Sequence, residues 1–418
     1  MAEGVSSGVA YFTKVIRDVV ANVSKKVPMS RDQVTAGKSP KDFPAYRVVP
    51  LEQVTCRFSG PGPGAAGVHT KTEGEPSCNV CCTSWDERHE RADGVALSLY
   101  DQSKDEHQRS TGEPVADVFG IVSYRNGALL SVADGVNWGE KPRLAARCAI
   151  HGSLSYLEEN LKNATTTQQI IACLLKSFDN AQTLIIKQNA TLTTLVTCCV
   201  CQIADGRWVV CAVNVGDSFA YIYSVPNGTV REVTVYSHQG PRDMRLAGGT
   251  LGPFDGYSPD LANLTCSFTF VEPDEILFAL SDGVYDNFDP VVLRMATGPP
   301  QPSVEGLPHL SQSERDEDGL RRMGRILQEE MPSGRVQTAS DVTMALLRHV
   351  VGLTEAKRRC FEELIGSHHS DIKSRSQQLP GKLDHATVAA VQIGAFPVDP
   401  SEEQKHKCET LALELGNL

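Results

Sequence analysis

Four aspartates stand beside apolar, strand-like runs, where carboxylates can be gathered to bind a cation. Asp134 and Asp282 each directly follow such a run, whereas Asp93 and Asp384 each precede one. If the strands are antiparallel neighbours, the ends of the first pair and the starts of the second pair lie along one edge of the sheets. We therefore expect four carboxylates to converge at that edge.

Carboxylates that converge in this way need a cation, because like charges held close together are costly. Oxygen ligands without a His or Cys pattern favour Mg²⁺ or Mn²⁺ over zinc. A glycine follows both Asp134 and Asp282, which permits a sharp exit from the strand and lets a main-chain carbonyl approach a metal. A single Asp-Gly after a strand is usually a turn, so the combination carries the prediction.

The elements that position these residues alternate between groups of strands and long helices. Runs of β-branched or apolar residues predict strands over 94–99, 116–124, 129–133, 208–215, 219–225, 232–236, 275–280 and 386–393. Apolar residues at helical spacing predict helices over 142–161, 166–189, 318–330 and 340–364. The pattern favours an α+β protein of layered sheets covered by helices over a doubly wound parallel sheet.

Short motifs accompany the aspartates in a fixed order. Along the chain they are Arg88 five residues before Asp93, Asp134-Gly135, Thr193-Thr194, Gly216-Asp217-Ser218, Arg245 with Gly248-Gly249, Asp282 with Asp286, and Asp384-His385. Each motif is weak alone. In this order the sequence resembles the metal-dependent protein phosphatases of the type 2C (PPM) family over residues 85–395.

That resemblance implies a fold of two packed antiparallel β-sheets flanked by helices. It also implies two Mg²⁺ or Mn²⁺ ions that share a bridging water, which attacks phosphoserine or phosphothreonine in a phosphorylated protein substrate. The implied metal ligands are Asp93, Asp134, the carbonyl oxygen of Gly135, Asp282 and Asp384.

Three further residues receive roles by the same resemblance. Arg88 would bind the phosphate, for which a bidentate guanidinium is well suited. Asp217 and Asp286 would approach a third, weaker metal. Two plainer interpretations stay open: Arg88 as a surface arginine in a charged run, and Asp217 as part of a hairpin turn.

The sequence departs from the family pattern at three places. Ala92 stands where the family has Glu, Val136-Asn137-Trp138 replaces His-Gly-Gly, and His385 replaces Asn. Val136 cannot act as the general acid that the family His can be. Two hypotheses therefore stay open: a serine/threonine phosphatase with weak or selective activity, and an inactive pseudophosphatase that acts as a scaffold or regulator.

The cysteines offer a third hypothesis, a zinc module. Cys78, Cys81 and Cys82 include Cys-x-x-Cys spacing, while Cys198, Cys199 and Cys201 lie in a strand-like run. A zinc site needs a second ligand pair at suitable spacing, and none is evident. We expect the second group to be small buried core residues.

The composition indicates which classes of binding partner and which cellular compartment are favoured. The 418 residues carry a net charge of −11, which disfavours nucleic-acid binding. The 13 cysteines and the lack of a secretory signal predict free thiols in an intracellular, cytoplasmic or nuclear protein. No apolar run is long enough to predict a transmembrane segment.

The domain prediction divides the chain into three parts. Residues 1–45 hold an N-terminal helix and a linker, residues 46–395 a PPM-type phosphatase domain with a helical and loop insertion at 291–380, and residues 396–418 a C-terminal tail. The N-terminal helix either packs on the domain or binds a protein partner or membrane surface. The insertion is a second candidate surface for a protein partner.

Overall fold

A computed structural model describes residues 33–60, 91–101, 111–235, 247–299, 305–330, 337–363 and 375–395. The predicted N-terminal helix, Arg88, Arg245, the Cys78–Cys82 loop and the C-terminal tail lie outside the described residues. The predicted domain boundaries stay predictions. Residues 35–37, before the predicted boundary at residue 46, already form an edge strand.

Two antiparallel sheets form the centre of the protein. The seven-stranded sheet has the order β1-β10-β7-β6-β5-β4-β2 and the five-stranded sheet the order β3-β12-β11-β8-β9. The strands are β1 Thr35–Gly37, β2 Val54–Gly60, β3 Ala92–Ser98, β4 Val118–Tyr124, β5 Gly127–Ala133, β6 Leu195–Gln202, β7 Trp208–Val215, β8 Phe219–Ser224, β9 Thr229–Glu232, β10 Thr265–Val271, β11 Ile276–Leu280 and β12 His385–Gln392.

Helices cover the outer face of each sheet. The helices are α1 Glu140–Asn160, α2 Thr167–Lys187, α3 Asp282–Tyr285, α4 Gln312–Glu329 and α5 Ala339–Glu363. Helices α1 and α2 pack on the seven-stranded sheet, and α4 and α5 on the five-stranded sheet. The predicted α+β class with two packed antiparallel sheets and flanking helices is therefore confirmed. No described helix is both long and apolar enough to cross a bilayer.

The central strands of the seven-stranded sheet are buried on both faces, so they are almost continuously apolar. One core lies between the sheets, where Phe58 and Phe119 meet edge to face, and a core lies under each helical layer. This double burial explains why the strand at 195–202 holds Cys198, Cys199 and Cys201, all of them buried. Small apolar cysteine side chains suit such positions, as expected above.

A buried ion pair fastens helix α4 to the segment that follows α3. Arg315 of α4 donates to Asp289 through Nη2 at 2.6 Å and through Nε at 3.0 Å, and both side chains are at most 4% exposed. Asp289 also accepts the main-chain N–H of Val291 at 2.7 Å. The pair therefore fixes both α4 and the segment that follows the site helix α3.

Breaking this pair should destabilise the protein strongly. Asp289→Asn leaves the Arg315 guanidinium buried without its counter-charge, and we expect a loss of about 3 kcal/mol in the free energy of unfolding. Asp318→Asn is the matched control, because its partner Arg322 is part-exposed on the same helix; there we expect less than about 1 kcal/mol. Urea unfolding measures both, and equal losses would contradict the prediction.

Candidate active site

Asp282 and Asp384 meet because their strands are hydrogen-bonded antiparallel neighbours. Leu280, the last residue of β11, pairs with Val388 of β12, so Asp282 just after β11 and Asp384 just before β12 lie at the same edge. Gly283 allows the close approach: a Cβ there would lie 1.8 Å from the carbonyl oxygen of His385. The glycine at this position is therefore required by packing.

Asp134 reaches the same edge from the other sheet, directly after β5. Its main-chain N–H donates to Thr194 Oγ1 at 3.0 Å, and its carbonyl accepts from Thr193 Oγ1 at 2.8 Å. A Cβ on Gly135 would lie 2.4 Å from the carbonyl oxygen of Pro142. Thr193, Thr194 and Gly135 therefore hold the Asp134 turn against the first turn of α1.

Asp217 lies in the tight turn between β7 and β8. Gly216 has a φ of +97°, which favours glycine, and Asn263 bonds both its N–H and its carbonyl at 3.0 and 2.9 Å. Ser218 shares a hydrogen bond of 2.7 Å with Thr194, which connects this turn to the Asp134 turn. Asp217 is 8% exposed.

Asp117 is a buried carboxylate that the sequence motifs did not indicate. It immediately precedes β4, and Val118 pairs with Ala133, so Asp117 lies beside Asp134. Its Oδ2 accepts from Ser281 Oγ at 2.7 Å and Thr387 Oγ1 at 2.8 Å. Counting back from the two-residue turn between Tyr124 and Gly127 would have placed it opposite Asp134.

The structure does not bring Asp93 to this cluster. β3 and β12 are direct antiparallel neighbours, and Asp93 pairs with Ala390, whereas Asp384 lies beyond the pair of His385 with Ser98. The starts of two adjacent antiparallel strands lie at opposite ends of the sheet, so the expectation that Asp93 and Asp384 share an edge is corrected. Asp117, and not Asp93, supplies the nearby carboxylate.

The centre of the cluster holds a residue that the sequence analysis did not select, Lys382. Its ammonium lies 2.5 Å from Asp282 Oδ2, 2.8 Å from Asp286 Oδ2 and 3.0 Å from Asp384 Oδ2. Burial lowers the pKa of Lys382, but the three carboxylates outweigh burial and raise it well above its usual value. Lys382 is therefore a charged, internal counter-ion.

Asp134 and Asp117 belong to the same cluster, and the single positive charge of Lys382 does not balance all of its carboxylates. Burial, followed by repulsion from Asp117, Asp282, Asp384 and Asp217, raises the pKa of Asp134 well above its ordinary value. Burial raises the pKa of Asp117 to about 6, against the lowering effects of His385, Ser281 and Thr387. Burial is therefore the main cause of both shifts, and at Asp134 four neighbouring carboxylates add to it, which indicates that a single lysine only partly neutralises the group.

The oxygen donors of the cluster are of the kind that binds divalent metal ions, but their arrangement around Lys382 is unfavourable for such an ion. Carboxylate oxygens and the Gly135 carbonyl suit Mg²⁺ or Mn²⁺. The ammonium of Lys382, however, already contacts the Asp282, Asp286 and Asp384 oxygens that an ion would use, and it would repel that ion. In the described part of the chain, no three acidic, His or Cys side chains are arranged to hold a metal. The residues therefore do not fit the implied pair of ions as arranged.

The phosphate-binding arginine and the general acid also lack described counterparts near the cluster. Gly112 stands five residues before Asp117 and Ala116 directly before it. His385 is 2% exposed: its Nδ1 accepts from the main-chain N–H of Ala116 at 3.3 Å and its Nε2 donates to the carbonyl of Gly112. Both ring nitrogens are occupied, so His385 is placed to support the loop before β4.

Replacing Asp117 should change how stability depends on pH. Its raised pKa means that the folded protein holds a proton there more tightly than the unfolded chain. The stability from this group is therefore present at low pH and is lost as pH rises through about 6, by about 3 kcal/mol. Asp117→Asn should flatten the fall in unfolding free energy between pH 4 and 6.5. Unchanged slopes in urea unfolding would contradict this.

Comparisons with known proteins agree with the motifs. Residues 105–241 match the family model for protein phosphatase 2C; the match includes Asp117, Asp134 and Asp217 and begins after Arg88 and Asp93. The PP2C-like domain-containing protein CG9801 of Drosophila melanogaster is 43% identical over 223 residues, which are 51% of this chain and 31% of that protein. The chain thus spans about a third of the length of that curated relative.

Solved structures of phosphatases also align with the chain. The photosystem II phosphatase PBCP is 17% identical over 73% of this chain and 99% of that chain, with a TM-score of 0.41. The PPM Ser-Thr phosphatase MsPP of Mycobacterium smegmatis, in complex with cacodylate, is 14% identical over 72% and 98%, with a TM-score of 0.38. The family match and the curated relative show that residues 105–241 are similar to protein phosphatase 2C domains, over about a third of the chain.

Proposed function

We propose that this domain is a pseudophosphatase: a phosphatase 2C-like fold that acts as a scaffold or regulator and hydrolyses phosphoserine and phosphothreonine weakly or not at all. The observation that carries the proposal is the Lys382 ammonium within 2.5–3.0 Å of Asp282, Asp286 and Asp384. The Lys382 ammonium thus neutralises carboxylates that metal ions neutralise in the family that the sequence resembles.

A lysine can replace the charge of a metal but not its chemistry. An ammonium offsets carboxylate repulsion and lets the strand ends pack. It has no open coordination position that binds a water, and it does not lower the pKa of a water as a divalent ion does. A domain built around Lys382 keeps its fold and loses the source of its nucleophile.

Other positions support the same proposal. Val136 stands in the place of the family general acid, Ala116 precedes Asp117 in the place of an acidic residue, and His385 is held by two main-chain groups. The described cysteines are free thiols, which supports an intracellular location. Phosphorylated proteins remain the proposed partners.

A metal-dependent serine/threonine phosphatase is the second candidate, and one observation favours it. Asp282 Oδ1 is buried without a hydrogen-bond partner among the described residues, and Lys382 has a side-chain exposure of 24%. If its flexible side chain turned outward, Asp134, Asp282, Asp384 and the Gly135 carbonyl would be the residues left to hold Mg²⁺ or Mn²⁺. This candidate requires metal binding to displace Lys382.

Metal titration of Lys382 variants separates the two candidates. For the wild-type chain we expect no saturable Mn²⁺ binding by calorimetry and no release of phosphate from a phosphothreonine peptide above the Asp282→Asn background. Lys382→Ser removes the ammonium and exposes the carboxylates to one another. We therefore expect a lower melting temperature in EDTA, and a rise on addition of Mn²⁺ that the wild type does not show.

The conservative variant is the control for this test. Lys382→Arg keeps the positive charge and should remain insensitive to Mn²⁺, and Lys187→Ser, at an exposed position of α2, should melt like the wild type. Saturable Mn²⁺ binding by the wild type, with turnover abolished in Asp282→Asn, would overturn the pseudophosphatase proposal and establish the second candidate.

A further inference from the structure

A groove of about 590 Å³ opens beside the carboxylate cluster. Its volume lies in the range of ordinary ligand sites. The apolar part of its lining includes Tyr100, Val292, Phe361 and Leu383, and its cationic part includes Arg294 and Lys357, with Lys382 at the end nearest the cluster. The groove therefore combines an apolar surface with concentrated positive charge.

Arg294 and Lys357 are held close together by the same segment of main chain. Arg294 donates to the carbonyl of Gln377, and Lys357 donates to the carbonyl of Gly381. Neither has a carboxylate ion-pair partner among the described residues. Burial, and then repulsion from Arg294, lowers the pKa of Lys357. The two cations thus lie within electrostatic range of each other, and an anion would offset their repulsion.

The turn that presents Arg294 is fixed and strained. Arg294 has a φ of +62°, an unfavourable conformation for a residue other than glycine, which persists where the surrounding structure imposes it. The turn begins at Val291, whose N–H is bonded to Asp289 of the buried pair with Arg315. The guanidinium is therefore presented from a supported backbone.

Among the described residues, the lining of the groove offers little acidic surface to offset this charge. Asp101 is the acidic residue of the lining, and it is only 6% exposed. An inorganic anion would satisfy the two cations but leave the surface of Val292, Phe361 and Leu383 uncovered. A ligand that carries both an anionic group and an apolar side chain satisfies both parts of the groove.

We propose that this groove binds a phosphorylated peptide segment, with the phosphate on Arg294 and Lys357 and a neighbouring apolar side chain against Phe361 and Leu383. The choice of a phosphate over another anion rests on the proposed function of a fold that retains phosphoprotein partners. Guanidinium groups bind phosphate in bidentate fashion. The bound phosphate lies outside the carboxylate cluster, so it is held there without being hydrolysed.

Fluorescence anisotropy with a labelled phosphothreonine–leucine peptide tests the site. The wild type should bind the phosphorylated peptide at least about tenfold more tightly than the unphosphorylated one, since charge-assisted bonds are lost in the latter. Arg294→Gln and Lys357→Met should each weaken phosphopeptide binding by about tenfold. Arg348→Met, an exposed cation elsewhere on α5, is the matched control and should bind like the wild type.

The outcomes separate this site from the proposed function. Equal binding of the two peptides to the wild type would overturn the groove proposal, whether or not the variants fold. Inorganic phosphate that binds as tightly as the phosphopeptide would also overturn it, because the apolar surface would then contribute nothing. Tight, phosphate-dependent binding with phosphate release would leave the groove as the peptide-binding site, but would overturn both the pseudophosphatase proposal and the statement that the bound phosphate is not hydrolysed. Melting temperatures check that each variant is folded.

Discussion

The protein depends on the neutralisation of carboxylates that its own topology forces together. β4, β5, β11 and β12 bring Asp117, Asp134, Asp282 and Asp384 to one edge, and the strands cannot pack without bringing them. An ammonium at 2.5–3.0 Å from three acidic side chains offsets that repulsion from within the chain. The balance between these charges decides which ligands the edge can accept.

The segment that supplies Lys382 is positioned by Asn287, which follows α3, and by Lys357 of α5. Asn287 accepts the N–H of Lys382 at 2.8 Å and donates to its carbonyl at 3.0 Å. Lys357 of α5 donates to the carbonyl of Gly381, the preceding residue. Helix α5 therefore contributes to the site, because it holds the main chain just before the residue that carries the central ammonium, while Asn287 holds that residue itself. The same contacts shape the groove beside it.

Sequence reasoning could predict the sheets and part of the site. Apolar runs fix strands that are buried on both faces, and Asp282 and Asp384 converge because an end and a start of adjacent antiparallel strands share an edge. The prediction for Asp93 was wrong because the starts of two adjacent antiparallel strands lie at opposite edges of the sheet. The strand at 265–271 was missed, and Lys382 carries no spacing signal: its position depends on Asn287, far away in the sequence. Tertiary contacts alone place such a residue.

The charges left at the edge explain why an anion should bind beside it and not in it. Two divalent ions would supply four positive charges, whereas Lys382 supplies one. Burial raises the pKa values of Asp117 and Asp134, repulsion from neighbouring carboxylates adds to the shift at Asp134, and the Ser281 and Thr387 hydroxyls stabilise the charged form of Asp117. A phosphate dianion placed among these groups would add repulsion. Arg294 and Lys357 line the neighbouring groove without carboxylate ion-pair partners among the described residues, so they would attract the same dianion.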